Sequence, residues 1–190
     1  MSSWFKSPAP KLVKQDTSKF QCWAASLESW IACAKPGTPM AAMNSTQADL
    51  IRAYKDFTGA KDGLMVAKAM IQVMFDFQMM LDIHAPGSAV TGGKIAQRLY
   101  SRGYLWMFYL GGQMRADLGH AEVVYGISDA NSPQARLHTM DPWTGTLSVT
   151  EIQDIALCKQ VFVCWKETSP TWSDDMFKIM KAMVDKRGVV

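Results

Sequence analysis

The chain has 190 residues, of which 48% are hydrophobic and 19% charged, and a formal net charge of +3. This composition is globular rather than disordered, and the length fits one domain spanning 1–190, or at most two small lobes meeting at a cleft. Its lysines and arginines are scattered rather than clustered, which argues against a nucleic-acid or membrane partner.

Residues 1–21 read as an irregular lead-in containing Trp4, Pro8 and Pro10. They carry no apolar h-region, so no secretory signal is visible and synthesis in the cytoplasm is expected. A helix is predicted from about Cys22 to Lys35, where Pro36 and Gly37 end it. A second helix, capped by Asn44, Ser45 or Thr46, runs roughly to Phe57 and is closed by Thr58-Gly59. A third, from Leu64 to about Phe77, puts Met65, Ala69, Val73 and Phe77 on one side. Met79–Ile83 reads as a short strand and Pro86-Gly87 as a turn, followed by a helix near Gly93–Arg102.

From Tyr104 onward the runs are short and β-rich: Tyr104–Leu110, Ala121–Ile127, Arg136–Met140 and Gln160–Trp165. Tyr104–Leu110 is the longest apolar stretch and far too short to span a bilayer. A last helix is expected over about 173–187, with Ser173 as cap and Asp174 and Asp175 in its first turn. Helices followed by an antiparallel sheet make an α+β fold, with a helical lobe at about 12–103, a β lobe at about 104–166 and a groove between them.

The chemistry centres on Cys22, which opens the apolar run Cys22-Trp23-Ala24-Ala25-Ser26 at a helix start. There the unpaired backbone N–H groups and the helix dipole favour a thiolate. The four cysteines show no Cys-x-x-Cys spacing, so neither a structural zinc site nor a thioredoxin-type pair is indicated. Cys33 is read as a core residue, and Cys158 and Cys164, six apart, as core residues on one face of a strand.

A cysteine nucleophile needs a base, and the base needs an orienting acceptor. Of three histidines, His120 follows Gly119 at the start of a predicted central strand, where the glycine admits close approach of another backbone or a substrate. His84 reads as a surface residue, and His138 alternates with Leu137 and Thr139 without a nearby glycine. Asp141 ends a strand at an Asp-Pro step, which forces extended backbone and fixes the carboxylate at the sheet edge beside the His120 strand. Trp143 is placed to cover the His–Asp hydrogen bond. The oxyanion needs a second donor besides the Cys22 N–H, for which Gln15 and Gln21 are candidates. Glu28 and Glu122 are read as structural, Glu122 because it is expected to alternate away from His120.

Gln15, Cys22-Trp23-Ala24-Ala25-Ser26, Gly119-His120-Ala121 and Asp141-Pro142-Trp143 occur in the order and context of the papain-like cysteine peptidases. The likeness is closest to the bacterial branch that includes double-glycine-leader peptidases and AvrRpt2-type effectors, and it covers roughly residues 12–165. The resemblance implies Cys22 as nucleophile, His120 as general base and acid, Asp141 as orienter and Gln15 as oxyanion amide, with Trp23, Gly119 and Trp143 near the substrate. Gln15 stands seven residues before Cys22, where the family glutamine usually stands six before. The implied activity is a protein-cleaving thiol endopeptidase that needs no metal or other cofactor.

Only 21 residues precede Cys22, too few for an inhibitory propeptide, so control is expected from substrate choice, delivery into another cell or a separate inhibitor. This suggests a secreted bacterial effector or toxin, with a cognate immunity protein as a partner beside the protein substrate. Two rivals remain open: an acyltransferase, deamidase or transglutaminase using the same triad, and an inactive module that keeps the groove.

Overall fold

In the computed structural model, which describes residues 3–63, 66–84, 90–111 and 119–167, the apolar run after Gln21 folds as helix α1 (Cys22–Ala34). Every residue from Cys22 to Ile31 is buried, as befits a helix that is apolar nearly all round. Its buried polar side chains are all partnered. Ser26 Oγ donates to the Trp23 carbonyl at 3.1 Å and accepts from Trp106 Nε1 at 2.8 Å. Ser29 Oγ donates to the Lys11 carbonyl at 2.7 Å, and Glu28 accepts from Lys11 Nζ at 2.7 Å and from the Gln47 N–H at 2.6 Å. These bonds, with Trp30 Nε1 donating to the Tyr104 carbonyl at 3.1 Å, fix the helix against three separate parts of the chain. Lys35, left-handed at φ 47°, ends it just before Pro36.

The remaining helices are α2 (Pro39–Met43), α3 (Gln47–Ala53), α4 (Val66–Asp76), α5 (Gly92–Arg102) and α6 (Ile152–Ala156). Of the three candidate caps for α3, Thr46 is the one used, its side chain accepting from the Asp49 N–H. The helix expected to reach Phe57 breaks at Tyr54 and finishes as a tight turn over Lys55–Phe57. Neither α2 nor α6 was expected, since five residues are too few to show a helical period. The helix expected over 173–187 lies outside the described residues.

Among the described residues, seven strands form one sheet: β1 (Trp4–Phe5), β2 (Met79–His84), β3 (Leu105–Leu110), β4 (Gly119–Ser128), β5 (Arg136–Asp141), β6 (Thr146–Glu151) and β7 (Gln160–Lys166). The order is β2-β7-β3-β4-β5-β6, every pairing is antiparallel, and β1 lies on β4 beyond the point where β3 begins. Its central strands β7, β3 and β4 are buried on both faces. Trp106, Phe108, Ala121, Val123, Phe162 and Cys164 point toward α1, while Leu105, Met107, Val124, Val161, Val163 and Trp165 meet Ile95 and Leu99 of α5 and Ile152 and Ile155 of α6. Two-sided burial explains why β3 and β7 read as unbroken apolar runs without alternation.

The cysteines are all free. Cys158 and Cys164 do not share a strand face as expected: Cys158 precedes β7 and packs in the layer opposite Cys164. Among the described residues, no helix is long and apolar enough to cross a membrane.

Candidate active site

The start of α1 is held by a polar clamp. Gln21, at the N-cap, sends its side chain away from the helix: Nε2 donates to Asp62 Oδ2 at 2.8 Å, and Oε1 accepts from Gln47 Nε2 at 2.9 Å. The Asp62 carbonyl accepts from Trp23 Nε1 at 2.9 Å, and the Lys61 carbonyl from the Phe20 N–H at 2.9 Å. Hydrogen bonds from Gln21 and Lys19 pull the Asp62 carboxyl below its ordinary range, so it stays an anion at the rim of the clamp. With the Gln21 side chain engaged elsewhere, no side chain caps the first turn, and the Cys22 N–H stays uncapped by it.

Gly119 and His120 open β4 directly opposite this helix start. The Cys22 thiol points to the Gly119 carbonyl, with Sγ 3.9 Å from its oxygen. A side chain at Gly119 would press within 3 Å of Leu110 Cδ2 and Phe108 Cζ, so the glycine answers to the close packing of β3 side chains rather than of a backbone. His120 is buried, and its Nε2 lies 2.8 Å from Asp141 Oδ1. The Asp-Pro step does end β5, and the Trp143 N–H donates at 2.9 Å to the same Asp141 Oδ1, which gives the carboxylate a second anchor. The Trp143 ring itself is exposed. Because β6 flanks β5, the Asp141 strand is interior to the sheet and not at its edge, contrary to expectation; β6 went unnoticed since its outward face is polar or solvated.

Gln15 joins this corner through its backbone, its N–H donating to the Pro142 carbonyl at 2.8 Å. Its buried amide donates from Nε2 to the Lys19 carbonyl at 3.1 Å, while Oε1 has no hydrogen bond among the described residues. Trp23 is buried, edge-on to Tyr54, and so presents no surface to a substrate, contrary to expectation; it belongs to the clamp through its bond to the Asp62 carbonyl. His138 instead bonds Ser128 Oγ at 3.1 Å and packs on Phe5, and His84 sits half-buried at the end of β2. Both stand apart from the cluster.

Glu122 requires a correction. It does not alternate away from His120: residues two apart in a strand share a face, and Glu122 Oε1 lies 3.4 Å from His120 Nε2. Period-two geometry alone would have found it. His120, Glu122 and Asp141 hold their ligand-type atoms within 4.8 Å of one another, the donor set a divalent ion would seek among the described residues; here Nε2 and Oδ1 are engaged with each other.

Burial opposes charge on His120, but the hydrogen bonds with Asp141, Cys22 and Glu122 outweigh it and hold the imidazole pKa up at about 11. Nε2 faces the carboxylates, and Nδ1, buried without a hydrogen bond of regular geometry, is the nitrogen left for the thiol. The raised affinity for a proton stabilises the folded protein fully below about 6.5, and that contribution is lost as pH rises toward about 11. Urea unfolding across this window should therefore show the wild type losing stability relative to His120→Gln as pH rises. Parallel curves would mean that no such proton is held.

The profile of the family described as papain-like cysteine protease AvrRpt2 matches residues 2–167, a span that takes in all seven strands and Gln15, Cys22, His120 and Asp141. Among curated proteins, nothing matches the chain.

Proposed function

The chain belongs to the AvrRpt2 family of papain-like cysteine proteases, and on that premise we propose that it is an endopeptidase working through Cys22, His120 and Asp141. The Cys22 thiolate attacks the scissile carbonyl carbon, and the oxyanion that forms is met by the Cys22 N–H and by Gln15 Nε2. A primary amide has two hydrogens, so Gln15 can keep its bond to Lys19 and still offer one. The imidazolium of His120 passes its Nδ1 proton to the leaving amine, the C–N bond breaks, and a thioester remains on Cys22. Water then gives a proton to Nδ1 as it attacks the thioester, releasing the new carboxyl end and restoring the thiolate–imidazolium pair. Asp141 keeps the Nε2 proton in place throughout.

The observation that supports this reading is the 2.8 Å bond between His120 Nε2 and Asp141 Oδ1, which engages that nitrogen and leaves Nδ1 for the thiol. Gly119, whose carbonyl faces the Cys22 thiol, and the exposed Trp143 are the proposed substrate contacts. The catalytic unit is proposed as one domain, its helical part at 12–103 and its β part at 104–166. By the resemblance to secreted effectors, the protein is further proposed to act as a bacterial effector or toxin in the cytoplasm of a target cell, restrained in the producer by an immunity protein.

Mass spectrometry of a target-cell lysate treated with the active protein should reveal new N-termini that Cys22→Ala does not produce. Mass shifts on intact proteins without new termini would replace this reading with acyl transfer or deamidation. Harmless expression of the active protein in bacterial cytoplasm would remove the toxin proposal alone.

A further inference from the structure

We propose that Glu122 is a second positioning carboxylate for His120, gripping the Nε2 side of the imidazole together with Asp141. This rests on the reading of His120 as the catalytic base. In the strand register Tyr109 of β3 stands directly across from His120, and its ring meets the imidazole edge-on at 5.6 Å between centroids. The Tyr109 hydroxyl donates to Glu122 Oε1 at 3.3 Å, the same oxygen that lies 3.4 Å from Nε2. Burial and the neighbouring Glu122 and Asp141 carboxylates push the Tyr109 phenol well above its ordinary range, so it remains a donor.

A structural role does not account for this glutamate. It is buried, and Oε2 has no hydrogen bond among the described residues. A buried carboxylate with a bare oxygen is a net cost that an apolar or amide side chain of like shape would avoid. Among the described residues, the ionisable groups beside it are Tyr109 from β3, His120 on its own strand and Asp141 from β5. Of these only the imidazole can carry positive charge, so the cost is recovered when His120 is protonated.

The two carboxylates differ in mounting. Asp141 sits at a turn and is fixed by the Trp143 N–H, whereas Glu122 rides on the same strand as His120 and keeps station with it. Two acceptors close to Nε2 oppose a half-turn of the ring that would carry this nitrogen away from them.

The test is the pH profile of Cys22 alkylation by iodoacetamide and of kcat/KM on a cleavable protein, for wild type, Glu122→Gln, Glu122→Asp and His120→Ala. Glu122→Gln should stay folded and lose to urea only the share of stability that the Glu122 bond gives to protonated His120, with the basic limb of both profiles moved down by about one pH unit and kcat/KM lowered roughly tenfold. Glu122→Asp, with the charge one methylene farther away, should lie between the two and covers the case in which the glutamine variant does not fold. Wild-type profiles in both Glu122 variants, with low-pH alkylation lost in His120→Ala, would overturn the proposal and leave the triad standing. Unchanged alkylation in His120→Ala would remove the triad reading, and this inference with it.

Discussion

Replacing His120 with alanine is expected to lower kcat/KM by roughly three to four orders of magnitude and to abolish alkylation of Cys22 below about pH 6. Two losses combine. The thiol loses the base that would take its proton, and the leaving amine loses its proton donor. The residual rate over water would come from the Cys22 N–H and from substrate binding, neither of which touches the ring. The substitution also leaves Asp141 and Glu122, whose acceptor atoms fall within one 4.8 Å cluster, without the imidazole that separates their charges. His120→Ala should therefore be less stable above neutral pH than at pH 5, where the carboxylates share protons, and rates must be referred to folded protein. His120→Gln, whose amide can still donate to Asp141, should recover stability and no activity. A His120 variant within tenfold of wild-type kcat/KM would show that the base lies elsewhere.

The residues of the candidate site were easier to single out in the sequence than the strands at the margins of the sheet, for a physical reason. Cys22, His120 and Asp141 each sit at a discontinuity: a polar loop turning into an apolar helix, a glycine before a β-rich run, and a strand stopped by Pro142. Such breaks leave local marks. Glu122 was legible and misread, since the period of a strand places it beside His120. By contrast β1 has only two residues, and its Phe5 lies on Gly126, a position that has no side chain to keep it off. Nothing near Trp4 encodes that partner 120 residues away; the contact belongs to the assembled sheet. β6 was missed because Leu147 and Val149, its most apolar residues, are exposed rather than buried, so the usual hydrophobic signal of a strand points outward. The helical caps followed their chemistry at Thr46 and Thr91, where a hydroxyl accepts from the first turn. At α1 the chain departs from that rule: Gln21 leaves the N-terminus uncapped and spends its amide on Asp62 and Gln47, an arrangement suited to a helix whose first N–H is needed for something other than itself.

Trp30→Ala should show how far this arrangement depends on the burial of α1. Trp30 is fully buried between the helix and the sheet, and its indole N–H is the partner of the Tyr104 carbonyl. Truncation of a buried tryptophan costs about 3–5 kcal/mol, and an orphaned carbonyl in the cavity adds about 1–3 kcal/mol unless water enters. Against a total of about 5–15 kcal/mol for a domain of this kind, the variant should be marginal at 37 °C and folded only in the cold. Trp30→Phe keeps most of the volume and loses the hydrogen bond, so it should cost less than half as much. The Cys22 thiol is a little over two helical turns away, roughly 12 Å, and the Lys11, Gln47 and Trp106 bonds to the intervening turns survive either change. The alanine variant assayed in the cold should accordingly keep near-wild-type kcat/KM per folded molecule while its urea midpoint falls sharply. A loss of stability below about 1.5 kcal/mol would mean that α1 is not the buried centre of the fold. A loss of activity in the fully folded variant would mean instead that the Cys22 end of the helix moves with its far end, and that the clamp of Gln21, Asp62 and Trp23 does not hold the nucleophile by itself.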